Sequence, residues 1–482
     1  MNTRLVGNVV ASLVLILGML NIIPLAVSIA HGGPDTSAFS MSGLVTVGAG
    51  GAGKLLTRGC RGRFGHKEAM AVTSLGWVAC AIFGALPFLL FGTFSTFSDA
   101  VFEAMSGLTT TGATVLSDIE AQPRGILFWR AFLHWLGGMG IIVLSLALLP
   151  SFQVGGMQLF RAEVPGPVPE RLEPRVRETA KRLWVIYAGL SAAEALLLWA
   201  FGMSFFDAVT HTFATTATGG FSTASKSVEA WNSVAIEIII IVFMFLAGAN
   251  FTLHYRVLRG NLGSFRRDSE FRTYAGIAIG ATFLIAINLF TNSVYDLGQS
   301  LRLSAFQVTS VLTTTGFTTA DFDAWPSLSR IILFFLMFIG GSAGSTGGAV
   351  KVARIAILFK HAGSELMRVI HPRRVGVPTL SGRPVSDEVV SSVLAFIFIY
   401  VAVFVLGVLA VSAAGLDPVS SFGAVAATLG NVGPGFGLVG PAGNYGFLPD
   451  LTKWILILCM LIGRLEIYTV LGLLLPGFWR RT

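Results

Sequence analysis

The chain has 482 residues, of which 54% are hydrophobic and only 12% are charged. A soluble domain carries about 25% charged residues, so this composition excludes an ordinary soluble protein and predicts a polytopic membrane protein. The net charge of +8 does not point to nucleic acid, because most basic residues cluster between apolar spans on one predicted side of a membrane.

Two apolar spans open the chain, at residues 6–30 and 37–57. The first has no small-residue cleavage site after a short apolar core, so we expect a retained helix rather than a signal peptide. The second contains a glycine run, Gly48–Gly53, that fits a dinucleotide-binding fingerprint. That motif requires a preceding strand in a βαβ unit, so we expect close helix packing through the glycines instead.

Eight further apolar spans follow, and four shorter semi-apolar runs lie between them. Runs of this shorter length cannot cross a bilayer and suit re-entrant helices. The fold class predicted is therefore an all-α membrane protein, helical wherever it meets lipid. The later spans are 68–92, 125–149, 181–202, 232–257, 272–294, 328–359, 387–413 and 453–478, and the short runs are 97–108, 204–215, 301–312 and 418–429.

Each short run ends in a related loop, which we call Thr/Gly loops one to four: 108–113, 215–220, 312–317 and 429–434. A unit of helix, short helix, loop and helix thus repeats four times after two extra helices. Such a repeat predicts a pseudo-fourfold arrangement around one ion pore. The expected divisions are 1–60 for the extra helices, 61–150, 151–260 with a cytoplasmic linker at 151–180, 261–360 with an intramembrane loop at 340–348, and 361–482.

The Thr/Gly loops have the chemistry of a cation filter. Rings of backbone carbonyls and Thr hydroxyls can replace the hydration shell of K⁺ without formal charge, and glycine permits the backbone turn this needs. The short helices would aim their negative C-terminal ends at the ion, with Asp99, Asp207 and Asp417 as acidic N-terminal caps. The predicted K⁺ ligands are Thr110, Thr111, Gly112, Ala217, Thr218, Gly219, Thr314, Thr315, Gly316, Asn431, Val432 and Gly433.

The run Gly340–Gly348, the Gly-rich loop, interrupts the last span of the third unit and of no other unit. Five glycines and three hydroxyl residues in nine positions do not form a stable helix. Either the small residues serve tight helix packing, or the segment is an intramembrane gate that lines a cavity. The candidate gating residues are Gly340, Gly341, Ser342, Gly344, Ser345, Gly347, Gly348 and the following Lys351, which we expect to tie the loop to the cytoplasmic side.

Arg464 lies in the middle of the last apolar span, where a guanidinium group is costly and usually functional. In the aligned second helices of the units it occupies the place of Gly138, Gly248 and Gly341. One interpretation is an ion pair with Glu466 that serves packing alone. The favoured interpretation places Arg464 in the pore below the Thr/Gly loops, as a gating residue.

The distribution of charge predicts cytoplasmic N- and C-termini. Acidic residues mark the opposite segments and would concentrate cations at an outer mouth. The acidic residues are Asp118, Glu120, Glu229, Asp296, Asp321, Asp323 and Asp450. The basic residues are Arg4; Lys54, Arg58, Arg61, Arg63 and Lys67; Arg161, Arg171, Arg175, Arg177, Lys181 and Arg182; Arg256, Arg259, Arg266, Arg267 and Arg272; Lys351, Arg354, Lys360, Arg368, Arg373, Arg374 and Arg383; and Arg480 and Arg481.

These four loops together resemble those of the Trk/Ktr/HKT superfamily of potassium transporters, and the two extra helices resemble the potassium-translocating membrane subunit of bacterial Trk systems. The resemblance implies a multi-pass protein of the bacterial inner membrane that forms a homodimer. It also implies a cytoplasmic ring of TrkA-like nucleotide-binding subunits that gates the pore. K⁺ is then the bound and transported ion, with no organic cofactor, and a glycine in each loop goes with K⁺ permeation.

The function predicted is K⁺ uptake through a gated pore. The alternatives are a K⁺ symporter coupled to H⁺ or Na⁺, and a weakly selective K⁺/Na⁺ channel. Carriers usually bind coupling ions beside midplane carboxylates, and we expect none beside these loops, which favours a channel. An enzyme is not expected. Gly340–Gly344 fits a hydrolase elbow, but that fold needs an Asp and then a His after the Ser, and the first Asp after Ser342 is Asp387, which follows the last His, His371.

Overall fold

The computed structural model describes residues 1–59, 65–148, 172–372, 379–381 and 383–479. Most of the predicted linker at 151–180 lies outside these residues, as do the expected divisions at 60/61 and 150/151. The same holds for Arg61, Arg63, Arg161, Arg171, Arg373, Arg374, Arg480 and Arg481.

The described chain is almost entirely helical, as the composition predicts. Its one small sheet pairs Thr379–Leu380 with Arg383–Pro384. The helices are Thr3–Leu20, Ile22–Ala30, Thr36–Leu56, His66–Gly84, Leu86–Phe91, Phe97–Leu108, Arg124–Leu148, Leu172–Ala200, Phe205–Thr216, Val234–Ala247, Phe251–Leu258, Ser264–Arg267, Ser269–Thr291, Leu297–Leu312, Ser327–Leu336, Val352–Ile370, Asp387–Ala413, Pro418–Leu429, Asp450–Leu465, Ile467–Leu474 and Pro476–Trp479.

Five described helical stretches are long and apolar enough to cross a membrane, and a sixth qualifies if a bent pair is taken as one span. The Gly-rich helix Thr36–Leu56 packs against Thr3–Leu20 at close range. A Cβ added at Gly50 would meet the backbone of Leu15, and one at Gly53 would meet Ala11. The dinucleotide-like glycine run is therefore a helix-packing surface, as expected.

The second spanning helix is interrupted in three units, so the prediction of a single break in the third unit is wrong. In the second unit, Val234–Ala247 and Phe251–Leu258 meet at an angle of 100°. In the fourth, Glu466 has a φ of 61° between Asp450–Leu465 and Ile467–Leu474. Only the first unit keeps a continuous helix, Arg124–Leu148, among the described residues.

The four predicted short helices are Phe97–Leu108, Phe205–Thr216, Leu297–Leu312 and Pro418–Leu429, which we call short helices one to four. Their N-caps are Thr96, Ser204, Asp296 and Asp417, and each cap side chain accepts a backbone N–H of the first turn. The predicted acidic cap is thus correct for Asp417. It is wrong for Asp99 and Asp207, which lie in the first turns of their helices. Their backbone amides donate to the cap side chains of Thr96 and Ser204.

Candidate functional site

All four Thr/Gly loops make the same backbone turn after their short helices. A residue with positive φ is followed two positions later by a glycine with positive φ, a conformation that glycine adopts at little cost. In loop two that glycine is Gly220, so the sequence alignment that placed Gly219 beside Gly112, Gly316 and Gly433 is one residue out of register. The pairs are Thr110 and Gly112, Thr218 and Gly220, Thr314 and Gly316, and Asn431 and Gly433.

The hydrogen bonds support this corrected register. In each loop, the residue between the two positive-φ residues donates its amide N–H to the carbonyl five positions earlier, in the last turn of the short helix. All four short helices therefore end in the same way. These bonds join Thr111 to Ser106 (2.9 Å), Gly219 to Ala214 (2.7 Å), Thr315 to Ser310 (2.8 Å) and Val432 to Ala427 (2.8 Å).

The four loops form a closed ring. A Cβ added to the glycine of one loop would meet a carbonyl oxygen of the next loop, and the fourth loop meets the first. The loops therefore surround one axis in chain order, with their backbones in contact and no space for a side chain. The contacts pair Gly112 with the Gly219 carbonyl, Gly220 with the Thr315 carbonyl, Gly316 with the Val432 carbonyl, and Gly433 with the Thr111 carbonyl.

A second ring joins the predicted outer segments in the same cyclic order. Glu120 accepts the Ser225 amide (2.7 Å) between units one and two. The acidic residues there thus tie segments together as well as contributing charge. The other joints are Glu229 N to Thr318 O (3.3 Å), Gly437 N to Asp323 Oδ2 (2.8 Å), and Tyr445 N to Thr114 O (2.8 Å).

The polar atoms of the loops suit a desolvated cation. The Thr residues of the loops and Asn431 are buried, and the Thr110 hydroxyl has no hydrogen-bond partner in the described structure. Asn431 Nδ2 donates to Thr111 Oγ1 (2.9 Å) and to the Met460 carbonyl (3.0 Å), which links loops one and four. No group of three His, Cys, Asp or Glu residues that could hold a metal occurs in the described parts of the chain. Carbonyl and hydroxyl oxygens are therefore the ligands this site offers a cation.

A buried ion pair supports loops one and two from behind. Arg130 Nε donates to Glu103 Oε1 (2.7 Å), and both side chains are almost fully buried. Arg130 also lies over the Phe221 ring at 4.2 Å, and Glu103 accepts the Thr114 hydroxyl (2.9 Å). The expectation that no carboxylate accompanies the loops is thus wrong. Its charge is compensated by Arg130, so it is not a free site for a coupling ion.

Replacing Arg130 by methionine should destabilise the protein by about 3–5 kcal/mol, because Glu103 would remain buried without its partner. Thermal unfolding of the detergent-purified chain measures this loss. The double variant Arg130→Met with Glu103→Gln should recover part of it. The exposed pair Arg368–Glu365 is the matched control, and Arg368→Met should change stability by less than about 1 kcal/mol. Equal effects of the two arginine variants would contradict the support role.

The Gly-rich loop lies against the Thr/Gly loops where the short helices end, and it bonds to neighbours on several elements. Gly348 N donates to Thr314 Oγ1 (2.7 Å), and Thr346 Oγ1 donates to the Thr216 carbonyl (3.1 Å). Further bonds of the loop include Gly340 N to Val350 O (2.9 Å), Ser342 N to Gly248 O (2.8 Å), Phe251 N to Gly344 O (3.1 Å) and Ser345 Oγ to Ser342 O (2.6 Å).

Lys351 bonds to the Gly-rich loop itself, and its predicted role in tying the loop to the cytoplasmic side stays a prediction. Its ammonium group donates to the carbonyl of Gly347 and so closes the loop on itself. Gly341 packs against the carbonyl of Gly248 at the break of the second unit. The two breaks in the helices therefore lie side by side, which gives the Gly-rich loop buried partners in place of helical bonds.

Arg464 contacts the Gly-rich loop directly. Its side chain is 3% exposed and donates to the carbonyls of Thr346 (2.6 Å) and Gly137 (3.4 Å). The ion pair with Glu466 is absent, since Glu466 pairs with Arg354 at 2.9 Å. The guanidinium group is therefore an uncompensated positive charge among the described residues, beneath the ring of loops.

Glu270 anchors the Gly-rich loop and was missed in the sequence. One carboxylate oxygen accepts the amides of Ala343 (2.6 Å) and Ala353 (3.2 Å), and so joins the loop to the start of the helix Val352–Ile370. The two contacts lie 73 and 83 residues away in sequence. No local sequence motif therefore predicts these two hydrogen bonds.

Replacing Glu270 by alanine should loosen the Gly-rich loop, because two buried amides lose their acceptor. We expect amide hydrogen exchange within residues 340–353 to rise about tenfold or more, corresponding to at least about 1.4 kcal/mol of local stability. Mass spectrometry of the exchanged protein measures this. Glu270→Gln keeps an acceptor oxygen and should show the smaller rise, and an unchanged exchange rate in Glu270→Ala would contradict the anchor.

A family model described as TrkH, cation transport protein, matches residues 36–475. The chain is 42% identical to the Trk system potassium uptake protein TrkH of Salmonella typhimurium and 40% identical to that of Halomonas elongata, with 100% of each chain covered. It is also similar to the crystal structure of the potassium transporter TrkH from Vibrio parahaemolyticus, with a TM-score of 0.92, 38% identity and full coverage of both chains.

Proposed function

The chain belongs to the TrkH family of cation transport proteins, and from that premise we propose that it takes up K⁺ across the bacterial inner membrane through a gated pore. The family consists of transporters, so the protein is not an enzyme. Its fold is that of a polytopic membrane protein, as the likeness to a potassium transporter over its whole length requires. The relatives named above are potassium uptake proteins.

The ring of four loops is the observation that carries the proposal. Four backbone turns of one shape form a ring in which a carbonyl oxygen of one loop lies against the glycine of its neighbour, and such a ring is suited to surround a single ion. Oxygens held in such rings compensate a dehydrated cation without formal charge. The ligands we propose are the predicted ones in loops one, three and four, and Thr218, Gly219 and Gly220 in loop two.

The gate we propose consists of the Gly-rich loop together with Arg464. The loop fills the space beneath the Thr/Gly loops and bonds to Thr314. The guanidinium group adds a positive charge on the inner side that would repel an approaching K⁺. Opening of the pore then requires the Gly-rich loop to break its hydrogen bonds to Thr216, Thr314 and Arg464.

The partners we propose are a second copy of the chain and a cytoplasmic nucleotide-binding ring of TrkA-like subunits. The names of the relatives place them in a Trk system, which implies further components. The basic clusters predict that the N- and C-termini are cytoplasmic. The helix Val352–Ile370 continues directly from the Gly-rich loop, so a cytoplasmic subunit that moves this helix would pull on the gate.

Single-channel recording in planar bilayers, with and without the cytoplasmic subunit, tests the proposal. Discrete openings that each pass many K⁺ ions, and that depend on the partner, are expected of a gated pore. A fixed ratio of K⁺ to H⁺ or Na⁺ without openings would instead show a symporter. Parallel measurements in Na⁺ solutions report selectivity, and equal currents for the two ions would show a weakly selective channel.

A further inference from the structure

A carboxyl group lies buried in the second unit without a partner. Glu194 belongs to the helix Leu172–Ala200 and is 0% exposed, and neither of its oxygens has a hydrogen-bond partner in the described structure. Burying an ionised carboxylate in this way costs several kcal/mol, whereas the neutral acid costs far less. An ionisable residue at such a position within a membrane protein is a functional candidate.

The surroundings of Glu194 are the last turns of short helix two. Ser191 Oγ lies 3.0 Å from Thr216 Oγ1, which fixes how the two antiparallel helices face each other. Glu194, one turn further along, is therefore level with Thr212 and Thr215.

The Thr215 hydroxyl indicates which form of the carboxyl group fits, whereas the Thr212 hydroxyl has no partner in the described structure and can donate or accept. Thr215 already donates its hydrogen to the His211 carbonyl at 2.8 Å, so its oxygen can only accept a further hydrogen bond. A carboxylate has no hydrogen to donate, but a protonated carboxyl group does. The negative C-terminal end of short helix two, which ends at Thr216, also disfavours a carboxylate here.

No described cation compensates Glu194. On the facing elements, His211 and His134 have both ring nitrogens in other hydrogen bonds. Arg130 is bound to Glu103, and Glu237 lies beside Arg302. Two further ionisable neighbours are Tyr187, which donates to the Trp135 carbonyl, and His254, which bonds to the Leu246 carbonyl. Tyr187 interacts electrostatically with both Glu194 and Arg464, and the guanidinium group of Arg464 donates to the carbonyls of Thr346 and Gly137.

We propose that Glu194 is a proton-binding site behind loop two: in its neutral form the carboxyl group donates to the Thr215 hydroxyl and holds short helix two in place. Loss of the proton as the pH rises would set a negative charge against the end of that helix. The turn that carries Thr218 and Gly220 would then shift. The second step, reduced K⁺ uptake at alkaline pH, rests on the proposed function, whereas the bound proton does not.

Infrared difference spectroscopy of the full-length protein in lipid tests the bound proton. The carbonyl stretch of a protonated carboxyl group should be present in the wild type at neutral pH and absent from Glu194→Gln. It should fade reversibly as the pH is raised. Identical spectra of the two proteins in this region at neutral pH would overturn the proposal, whatever the protein transports.

Rubidium uptake into vesicles tests the link to transport. We expect the wild type to lose at least about two-thirds of its uptake as the pH rises through the range in which the infrared band fades, because the carboxylate then faces the C-terminal end of short helix two. Glu194→Gln has the shape of the neutral acid and keeps a hydrogen-bond donor, so it should retain its uptake. An equal alkaline loss in both proteins would overturn the link. A wild type without uptake at any pH would instead count against the proposed function, while the spectra still decide whether the proton is bound.

Discussion

Replacing Gly316 by alanine should reduce K⁺ uptake about a hundredfold or more. Gly316 has a φ of 81°, and a Cβ there would meet the carbonyl oxygen of Val432 in the next loop. The backbone conformation alone costs about 1–2 kcal/mol for alanine. Displacing one oxygen from the cation removes a further interaction of about 1.5–3 kcal/mol, and each 1.36 kcal/mol of barrier is tenfold in rate.

Growth at limiting K⁺ in a strain without other uptake systems, together with rubidium flux into vesicles, measures this effect. Gly280→Ala is the matched control, because Gly280 lies in the helix Ser269–Thr291 with nothing within 4 Å of an added Cβ. That variant should transport like the wild type. Folding of Gly316→Ala is checked by its elution in detergent, and a well-folded variant with normal flux would contradict the role of the ring.

The same substitution at Gly220 distinguishes the two registers of loop two. Gly220 has a φ of 79° and contacts the Thr315 carbonyl, as Gly316 contacts that of Val432. The sequence could not decide between the adjacent glycines, since either one completes the loop pattern. Only the backbone turn and its neighbour in the ring identify Gly220.

Much of the architecture could be predicted because it depends on local signals. Short helices one and four end within one residue of their predicted limits, since apolar runs and turn residues bound them. The breaks of the second and fourth units depend instead on tertiary contacts, such as the bond from Ser342 to the Gly248 carbonyl. Such contacts leave no trace in the local sequence.

The role of a buried charged residue could be predicted from the sequence only where that residue is the single charge in the middle of an apolar span. Arg464 was found because a charge in the middle of an apolar span is conspicuous. Glu103 lies in the middle of short helix one and Arg130 near the start of the next helix, 27 residues apart, and only the fold shows that they pair. Glu194 sits among leucines and alanines, and its importance appears once its facing threonines are known.

Replacing Arg464 by alanine should raise the K⁺ leak of the closed protein by about tenfold or more. Two like charges about 5 Å apart repel by about 3 kcal/mol at an effective dielectric constant of about 20. The guanidinium group also bonds to the Thr346 carbonyl at 2.6 Å and so holds the Gly-rich loop in the position that we propose to be closed. Its removal therefore weakens both the electrostatic barrier and the steric one.

The two contributions can be separated by a pair of variants measured without the cytoplasmic subunit, where the gate should be closed. Arg464→Lys keeps the charge but loses the paired bonds to Thr346 and Gly137, whereas Arg464→Met keeps much of the length and loses the charge. If the charge dominates, the lysine variant stays closed and the methionine variant leaks. If the anchored loop dominates, both leak. Rubidium flux equal to that of the wild type in all three variants would show that Arg464 serves packing alone, because an uncompensated charge at this depth would then have no effect on the ion.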